Sequence, residues 1–585
     1  YRNYQSLLVT VPGTTPVALQ NDINDTPARS LSINVNGVAR NINTTRVDGA
    51  TNVFIWLPHH TLYNPSVDAI ETVNISTTSF DAEQGMAGGA AVTVTTKSGT
   101  NDMHGTVSWY HDNQHLKARR YFFPDKPLSI TNFANATIGG PIVKNKLFYF
   151  FSFERGVERI GVNGRFSVPP ADVRTGDFSR YTGLALVYDP LTGDAAGNNR
   201  TPFPNNRVPD ARITQQFKAI QALAPLPNDP GQDAFGLTGN FLKSGMRRFD
   251  RDQYDIKVNY AVSTKLNVWG KYSRQDALVD GQFPFGELTG PGLGTGGRGD
   301  TNVNIPTGGF TYALSPTFIM DGVFGYTRFD QTVLGPGSDK NWGLDVWRIP
   351  GTNGGARFAN DPRYKGQPAL YTGFTVWGYE PTWFPLFRND RTYTYTHNFS
   401  KQRGAHEIRF GFDMVKHDLN HWQPETAHPR GRIDFSGNAT MIRGGTSRSI
   451  NQYAGALMGL IGSYSKSVQF FDMKTREWQL GWYVRDRWQV NRNLTLNLGL
   501  RYEFYPLIDR GDRGIERWDP ATNIVYFGGL GNTPRNAGIT VSKKLFAPRI
   551  GFAYRLGSKT VIRSGYGITF DPLPFGRPLR GLYPA

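Results

Sequence analysis

Apolar and polar residues alternate along much of this chain, and the alternation breaks at short polar turns. Tyr254, Ile256, Val258, Tyr260 and Val262 alternate with Asp255, Lys257, Asn259 and Ala261. A turn falls at Ser263-Thr264-Lys265, after which Leu266, Val268, Gly270 and Tyr272 continue on one face. A period of two belongs to a β-strand whose two faces meet different surroundings. Further hairpins are predicted at Leu314-Ser315-Pro316, at Lys401 to Gly404 and at Gly557-Ser558. The clearest pair places Trp478, Leu480, Trp482, Val484, Trp488 and Val490 on one face, with Asp486 as the exception. It turns at Asn491-Arg492-Asn493 and returns through Leu494, Leu496, Leu498 and Leu500. Strands of this length, at about 3.3 Å per residue, reach across a bilayer's hydrocarbon core even when tilted.

Long polar blocks at 158–246, 276–304, 331–389, 418–466 and 507–543 separate these hairpins. Short turns on one side and long segments on the other are the asymmetry of an outer-membrane barrel. The prediction is an all-β, antiparallel transmembrane barrel, incomplete here, with about 12 to 14 strand candidates by alternation and turn signals. Its tryptophan-rich face reads as packing and interfacial girdle.

The first hundred residues have another texture. Asn36-Gly37 and Asp48-Gly49 are tight-turn dipeptides between short alternating runs. Ser66 to Gly105 contains a short strand (Ile70 to Ile75), a polar connection with Gly85, Gly88 and Gly89, and a second strand (Ala90 to Thr96) closed by Lys97-Ser98-Gly99. A glycine pair entering a strand permits close backbone approach, so this stretch suits a small mixed α/β element packed inside something larger.

Composition narrows the picture. Of 585 residues, 66 are Gly and 13% are aromatic, which favours β structure with many turns. The absence of cysteine excludes disulfides and thiolate metal sites. A formal charge of +17 raises nucleic acid or an anionic surface as partners, but the charge is dispersed and nucleic-acid motifs are missing, so no nucleic-acid role is expected. The excess suits anionic solutes or lipopolysaccharide phosphates. The chain begins at Tyr1 and stops at Gly581-Leu582-Tyr583-Pro584-Ala585, which reads as an internal fragment. No nucleophile elbow, phosphate-cradling loop or HExxH helix occurs, so no enzyme, catalytic residue or cofactor is expected.

Val67-Asp68-Ala69-Ile70-Glu71-Thr72-Val73 and Gly88-Gly89-Ala90-Ala91-Val92-Thr93-Val94-Thr95-Thr96-Lys97 resemble two strands in the plug of TonB-dependent outer-membrane transporters. Gly139-Gly140-Pro141-Ile142-Val143-Lys144-Asn145-Lys146-Leu147-Phe148-Tyr149-Phe150 resembles the Oar-like branch of that family. Thr72 and the connection Ser79 to Met86 depart from the usual plug pattern. The resemblance implies a plug domain at 1–101 inside a barrel at 102–585, in a family whose complete barrels have 22 strands.

It further implies a monomeric barrel that imports a scarce, bulky solute with the TonB energy-coupling complex, in contact with outer-membrane lipid and lipopolysaccharide. An Oar-like role in protein or peptide secretion or in adhesion is the alternative, and a soluble β-rich binding protein is the third reading. Asn36, Gly37, Asp48, Gly49, Glu71, Gly88, Gly89 and Lys97 form the plug signature. Asp48, Glu71 and Lys97 are candidates to pair with lumen charges such as Arg485, Arg487 or Arg501. His59 and His60 are the candidate substrate-facing residues. The sets His104, His111, His115 and His417, His421 lack acidic partners at short spacing, so no metal site is expected.

Overall fold

Period-two runs become strands, and strands adjacent in sequence pair antiparallel, so the computed structural model is dominated by one 13-stranded sheet, the wall. The structure describes residues 3–19, 23–24, 26–77, 81–119, 126–378, 384–424, 428–467, 469 and 471–572. Ser79 of the expected connection and the terminal Gly581 to Ala585 lie outside the described residues.

Ahead of the wall lies a four-stranded sheet: β1 (Thr44–Val47), β2 (Ala50–Thr51), β3 (Ile70–Ser76) and β4 (Ala91–Thr96), in the order β2-β1-β4-β3. Its turns form at the expected dipeptides, with positive φ at Asn36 and Gly37 (50° and 74°) and at Asp48 and Gly49 (47° and 86°). Two successive positive φ values define the tight turn that such dipeptides favour. Val47, Val92 and Val94 pack with Tyr4, Leu8, Ile33 and Val35.

The wall opens with β5 (His104–Asn113), β6 (Ser129–Val143), β7 (Leu147–Phe166), β8 (Phe241–Ala261), β9 (Leu266–Gln282), β10 (Leu293–Ser315) and β11 (Phe318–Leu334). After the short β12 (Ala369–Tyr371) come β13 (Leu386–Arg403) and β14 (His406–Trp422). The short β15 (Arg432–Asp434) and β16 (Ser463–Ser465) precede β17 (Met473–Gln489) and β18 (Leu494–Phe504). A small hairpin of β19 (Glu516–Asp519) and β20 (Ile524–Phe527) precedes β21 (Leu545–Arg555) and β22 (Val561–Gly567). Among the described residues β5 and β22 are the edges of the wall.

The face expected to meet lipid points outward: Trp478, Trp482 and Val484 are 38%, 41% and 47% exposed. Asp486, the exception in that pattern, bonds the His406 ring at 2.7 Å, and that ring stacks on Trp488.

Two expectations about the long blocks are corrected. The block at 276–304 is mostly strand, because β9 runs to Gln282 and β10 starts at Leu293. Beyond the bilayer both faces of a strand meet water or polar loops, so the hydropathy alternation fades although the backbone pairing continues. The blocks at 158–246, 331–389 and 418–466, read from the sequence as long polar segments, share one hydrophobic core. There Phe217, on the helix α1 (Gln215–Gln221), contacts the rings of Trp377, Phe435 and Tyr453 at 5.6–5.8 Å. Strand β12 pairs in parallel with β15, tying two of these segments into one lobe at the long-loop end of the wall.

Candidate functional site

The wall's inward face carries charge, and the N-terminal sheet is seated against it. Asp48, at the corner between β1 and β2, is the centre of the contact. Its Oδ1 accepts from Thr96 N (3.1 Å) and Lys257 Nζ (3.1 Å), and its Oδ2 from Thr96 Oγ1 (2.7 Å) and Lys271 Nζ (2.9 Å). Burial raises the Asp48 carboxyl, but the Lys271 and Lys257 ammonium groups and the Thr96 hydroxyl outweigh it and bring the pKa down to about 2. Lys271 also lies 3.3 Å from Asp255, whose other oxygen accepts from Tyr63 Oη at 2.5 Å. Burial and the Asp255 carboxylate push the Tyr63 phenol well above its usual value. A relay of Asp48, Lys271, Asp255 and Tyr63 thus joins a tight turn to the apex of the N-terminal segment through two wall strands.

A second cluster gathers around Arg501. Arg46 bonds Asp413 at 2.7 Å, and Asp413 is 3.4 Å from the wholly buried Arg501. Arg501 Nε donates to Glu503 Oε1 at 2.7 Å, and the same oxygen accepts from Met86 N at 2.8 Å. Next to it, Glu83 pairs with Arg409 (2.7 Å) and Asp81 with Arg485 (2.9 Å), while Arg549 donates to the carbonyls of Asp81 and Gln84. Residues 81–86 therefore sit in a cradle of wall arginines.

The apex is apolar. Phe54, Ile55, Trp56, Leu57, Leu62 and Tyr63 pack against Val303, Ile305, Phe329 and Leu419 of the wall and against Ile508, Ile515 and Ala537 of the 507–543 segment. Trp56 stacks on His421 at 4.2 Å, and His421 Nδ1 accepts from Arg388 Nε at 2.9 Å.

The sequence brought the correct kinds of group to this seam but paired some of them differently. Asp48 meets two lysines, Lys257 and Lys271, and not the arginines expected for it. Arg485 and Arg501 do meet the N-terminal segment, at Asp81 and at the 82–83 carbonyls. Arg487 is more than half exposed, 3.9 Å from Glu407. Glu71 is exposed at a β-bulge, where Ile70 faces Thr96 and Thr72 faces Thr95. An extra residue of that kind stands outside the ladder, which also accounts for Thr72 in an otherwise apolar pattern. Lys97 anchors through its backbone N–H to Ala69 O at 2.9 Å.

Gly88 and Gly89 both donate their N–H to Ile42 O, and a Cβ on Gly88 would fall 2.9 Å from Ile42 Cδ1. His59 and His60, expected to face solute, are 7% and 2% exposed, with ring centroids 4.1 Å apart. They line a small cavity with Leu8, Ala90 and Val92, because the apolar run before them is drawn into the wall and carries them inward. The two lysines were discoverable: Lys257 and Lys271 each alternate with apolar outward residues, so both had to point into the wall.

A family model described as an outer membrane beta barrel domain matches residues 95–585, and the chain belongs to that family. This places it in the outer membrane and removes the soluble binding-protein reading. Within that class it is similar to the TonB-dependent transporter Oar of Myxococcus xanthus, 24% identical over 493 residues, covering 79% of this chain and 42% of that protein. Among solved structures it is similar to a mutant of the ferric enterobactin receptor PfeA from Pseudomonas aeruginosa (11% identity, TM-score 0.47, 97% of this chain and 59% of that one). It is also similar to the alcaligin outer membrane receptor FauA from Bordetella pertussis (10% identity, TM-score 0.48, 97% and 59%). The chain thus spans less than half of the curated relative and about three-fifths of the receptor chains.

Proposed function

We propose that this chain belongs to a TonB-dependent transporter that imports a bulky solute across the outer membrane, with residues 1–101 as a plug that gates a barrel begun at residue 102. The observation that carries the reading is the seam at Asp48: a compact sheet is held against the wall by buried ion pairs with Lys257 and Lys271. A charge buried with its partner is costly to expose alone, so displacing the sheet requires external work. The outer membrane has neither ATP nor an ion gradient of its own, and the energy-coupling complex of the periplasm supplies that work. The folded lobe at the long-loop end is the first surface a solute meets, ahead of the covered apex. The second reading is the alternative named from the sequence, in which the same barrel passes or presents a protein or peptide.

The test compares the medium of three strains: wild type, one without the gene, and one without the energy-coupling protein. One and the same solute should remain in the medium of both mutants. Unchanged uptake in either mutant overturns the import reading, and loss of a secreted protein with uptake intact selects the second.

A further inference from the structure

Beneath the apolar apex the wall holds a carboxyl group in an apolar setting. On the inward face of β13, Asp390 faces Phe329 of β11. Leu419 of β14 stands opposite it, between the pairs of Arg388 with His421 and Arg391 with Asp418. Phe329 and Leu419 both belong to the core that receives Phe54, Ile55 and Trp56. Asp390 itself is 2% exposed.

Its bonding is incomplete. Oδ1 accepts from Asn420 N at 2.8 Å, and Asn420 Nδ2 donates to Asn389 O at 2.8 Å, so side chains replace backbone ladder bonds at this point of the pair. Among the described residues, no donor reaches Asp390 Oδ2. The charged and titratable groups around the site are Arg388 on the same strand, Asp330 on β11, His417 and His421 on β14, and Arg476 and Glu477 on β17. Arg388 donates to His421, Gln331 and Gln423, and Arg476 to Asn420 Oδ1 and the carbonyls of Leu419 and Thr475. Asp330 pairs with Arg328, and His417 faces Glu477 and bonds Thr392 at 2.9 Å. From the apex, Val53 to Leu57 bring no charge.

An ionised carboxylate with an unserved buried oxygen is costly, and a neutral carboxyl much less so. Burial raises the Asp390 pKa to about 7, against the Asn420 N–H and the Arg388 and Arg476 guanidinium groups. Asp390 lies on the long-loop side of Tyr393, which meets Tyr326 and Lys416 in the outward aromatic rung at the bilayer edge, and so it stands outside the bilayer.

We propose that Asp390 is a proton-linked latch beneath the apex: its carboxyl is neutral while the apex covers it and ionises once water reaches it, so each opening releases one proton to solvent. Its pKa is higher with the apex closed than its ordinary 3.8. Stability of the closed apex is therefore fully present below about pH 4, falls as pH rises towards 7, and levels off above. Buried neutral histidines such as His417 act with the opposite sign, since they gain from water when they charge in acid. Use of the latch in transport rests on the plug reading, whereas amide exchange reports opening of the apex whether or not a solute passes, so the two can fail separately.

The test measures hydrogen exchange in residues 53–63 of the intact chain in mild detergent, from pH 4.5 to 8, with wild type and D390N compared at each pH. The ratio cancels the histidines and the intrinsic pH dependence of exchange. Protection of D390N relative to wild type should rise by up to about tenfold per pH unit until pH 7 and then level off. A ratio that stays constant or falls with pH overturns the proposal. A second measurement leaves Asp390 unchanged: at pH 5.5 the infrared band of a protonated carboxyl should be present in wild type and shrink in W56A, whose apex is loosened. An equal band in W56A, or no such band in wild type, overturns it as well.

Discussion

Arg501 of the wall occupies the space where Gly85 of the N-terminal segment would carry a side chain: a Cβ on Gly85 would fall 1.9 Å from Arg501 Nε. From the other side, a Cβ on Gly481 would fall 2.3 Å from Arg501 Nη2. The guanidinium is therefore held between two glycines while it serves Glu503 and Asp413. Replacing Gly85 by alanine should displace Arg501 and cost about 1–3 kcal/mol, the usual range for overpacking. Hydrogen exchange should accelerate at Met86, whose N–H bonds Glu503, and remain slow in β8 and β9.

Asp48→Asn removes the carboxylate shared by two buried lysines and should loosen the N-terminal sheet by about 3–5 kcal/mol. Limited proteolysis is expected to cleave within residues 40–96 of that variant while the wall stays intact. Replacing Lys257 by methionine in the same variant should recover part of the loss, because Lys271 keeps Asp255 as its partner.

The same site sets a pH dependence. Asp48 titrates lower in the folded protein, at about 2, than its ordinary 3.8, so its contribution is fully present above pH 4 and disappears as pH falls towards 2. The contribution is about 2 kcal/mol by linkage. Stability of the sheet, followed by hydrogen exchange between pH 5 and pH 2.5, should decline for the wild type and stay comparatively flat for Asp48→Asn.

Trp56→Ala should cost about 3–5 kcal/mol at the apex, since the ring is wholly buried and stacks on His421. The 507–543 segment shares that core through Ile508 and Ile515, so its exchange should rise together with that of residues 53–63. An increase confined to residues 53–63 would mean that the two regions are not coupled.

Phe217→Ala removes the ring that meets Trp377, Phe435 and Tyr453. Proteolytic sites within 167–240, 335–378 and 428–467 should open in concert, with about 3–5 kcal/mol of local stability lost. Independent opening of one segment would show that the lobe is not a single cooperative unit.

The order of the wall was legible without coordinates. Alternation such as that of Trp478 to Val490, together with short turns at Asn491 or Gly404, specifies antiparallel hairpins, because a period of two admits one choice of face and a short turn one choice of neighbour. The turns at Asn36-Gly37 and Asp48-Gly49 were legible for the same local reason. The lobe was not. Phe217, Trp377 and Tyr453 come from segments without sustained period, and their meeting depends on where the strand ends release each loop. Ion-pair partners were likewise left to tertiary structure. Charge type and face are properties of a residue and its neighbours, but whether Asp48 meets Lys271 or Arg501 depends on how one sheet seats in another. The sequence alone determined the short-turn hairpins and which of their sides faces lipid, since each follows from interactions within a few residues. The depth and rotation of the N-terminal sheet against the wall, and with them every charge pair across the seam, were decided only by packing between residues hundreds of positions apart.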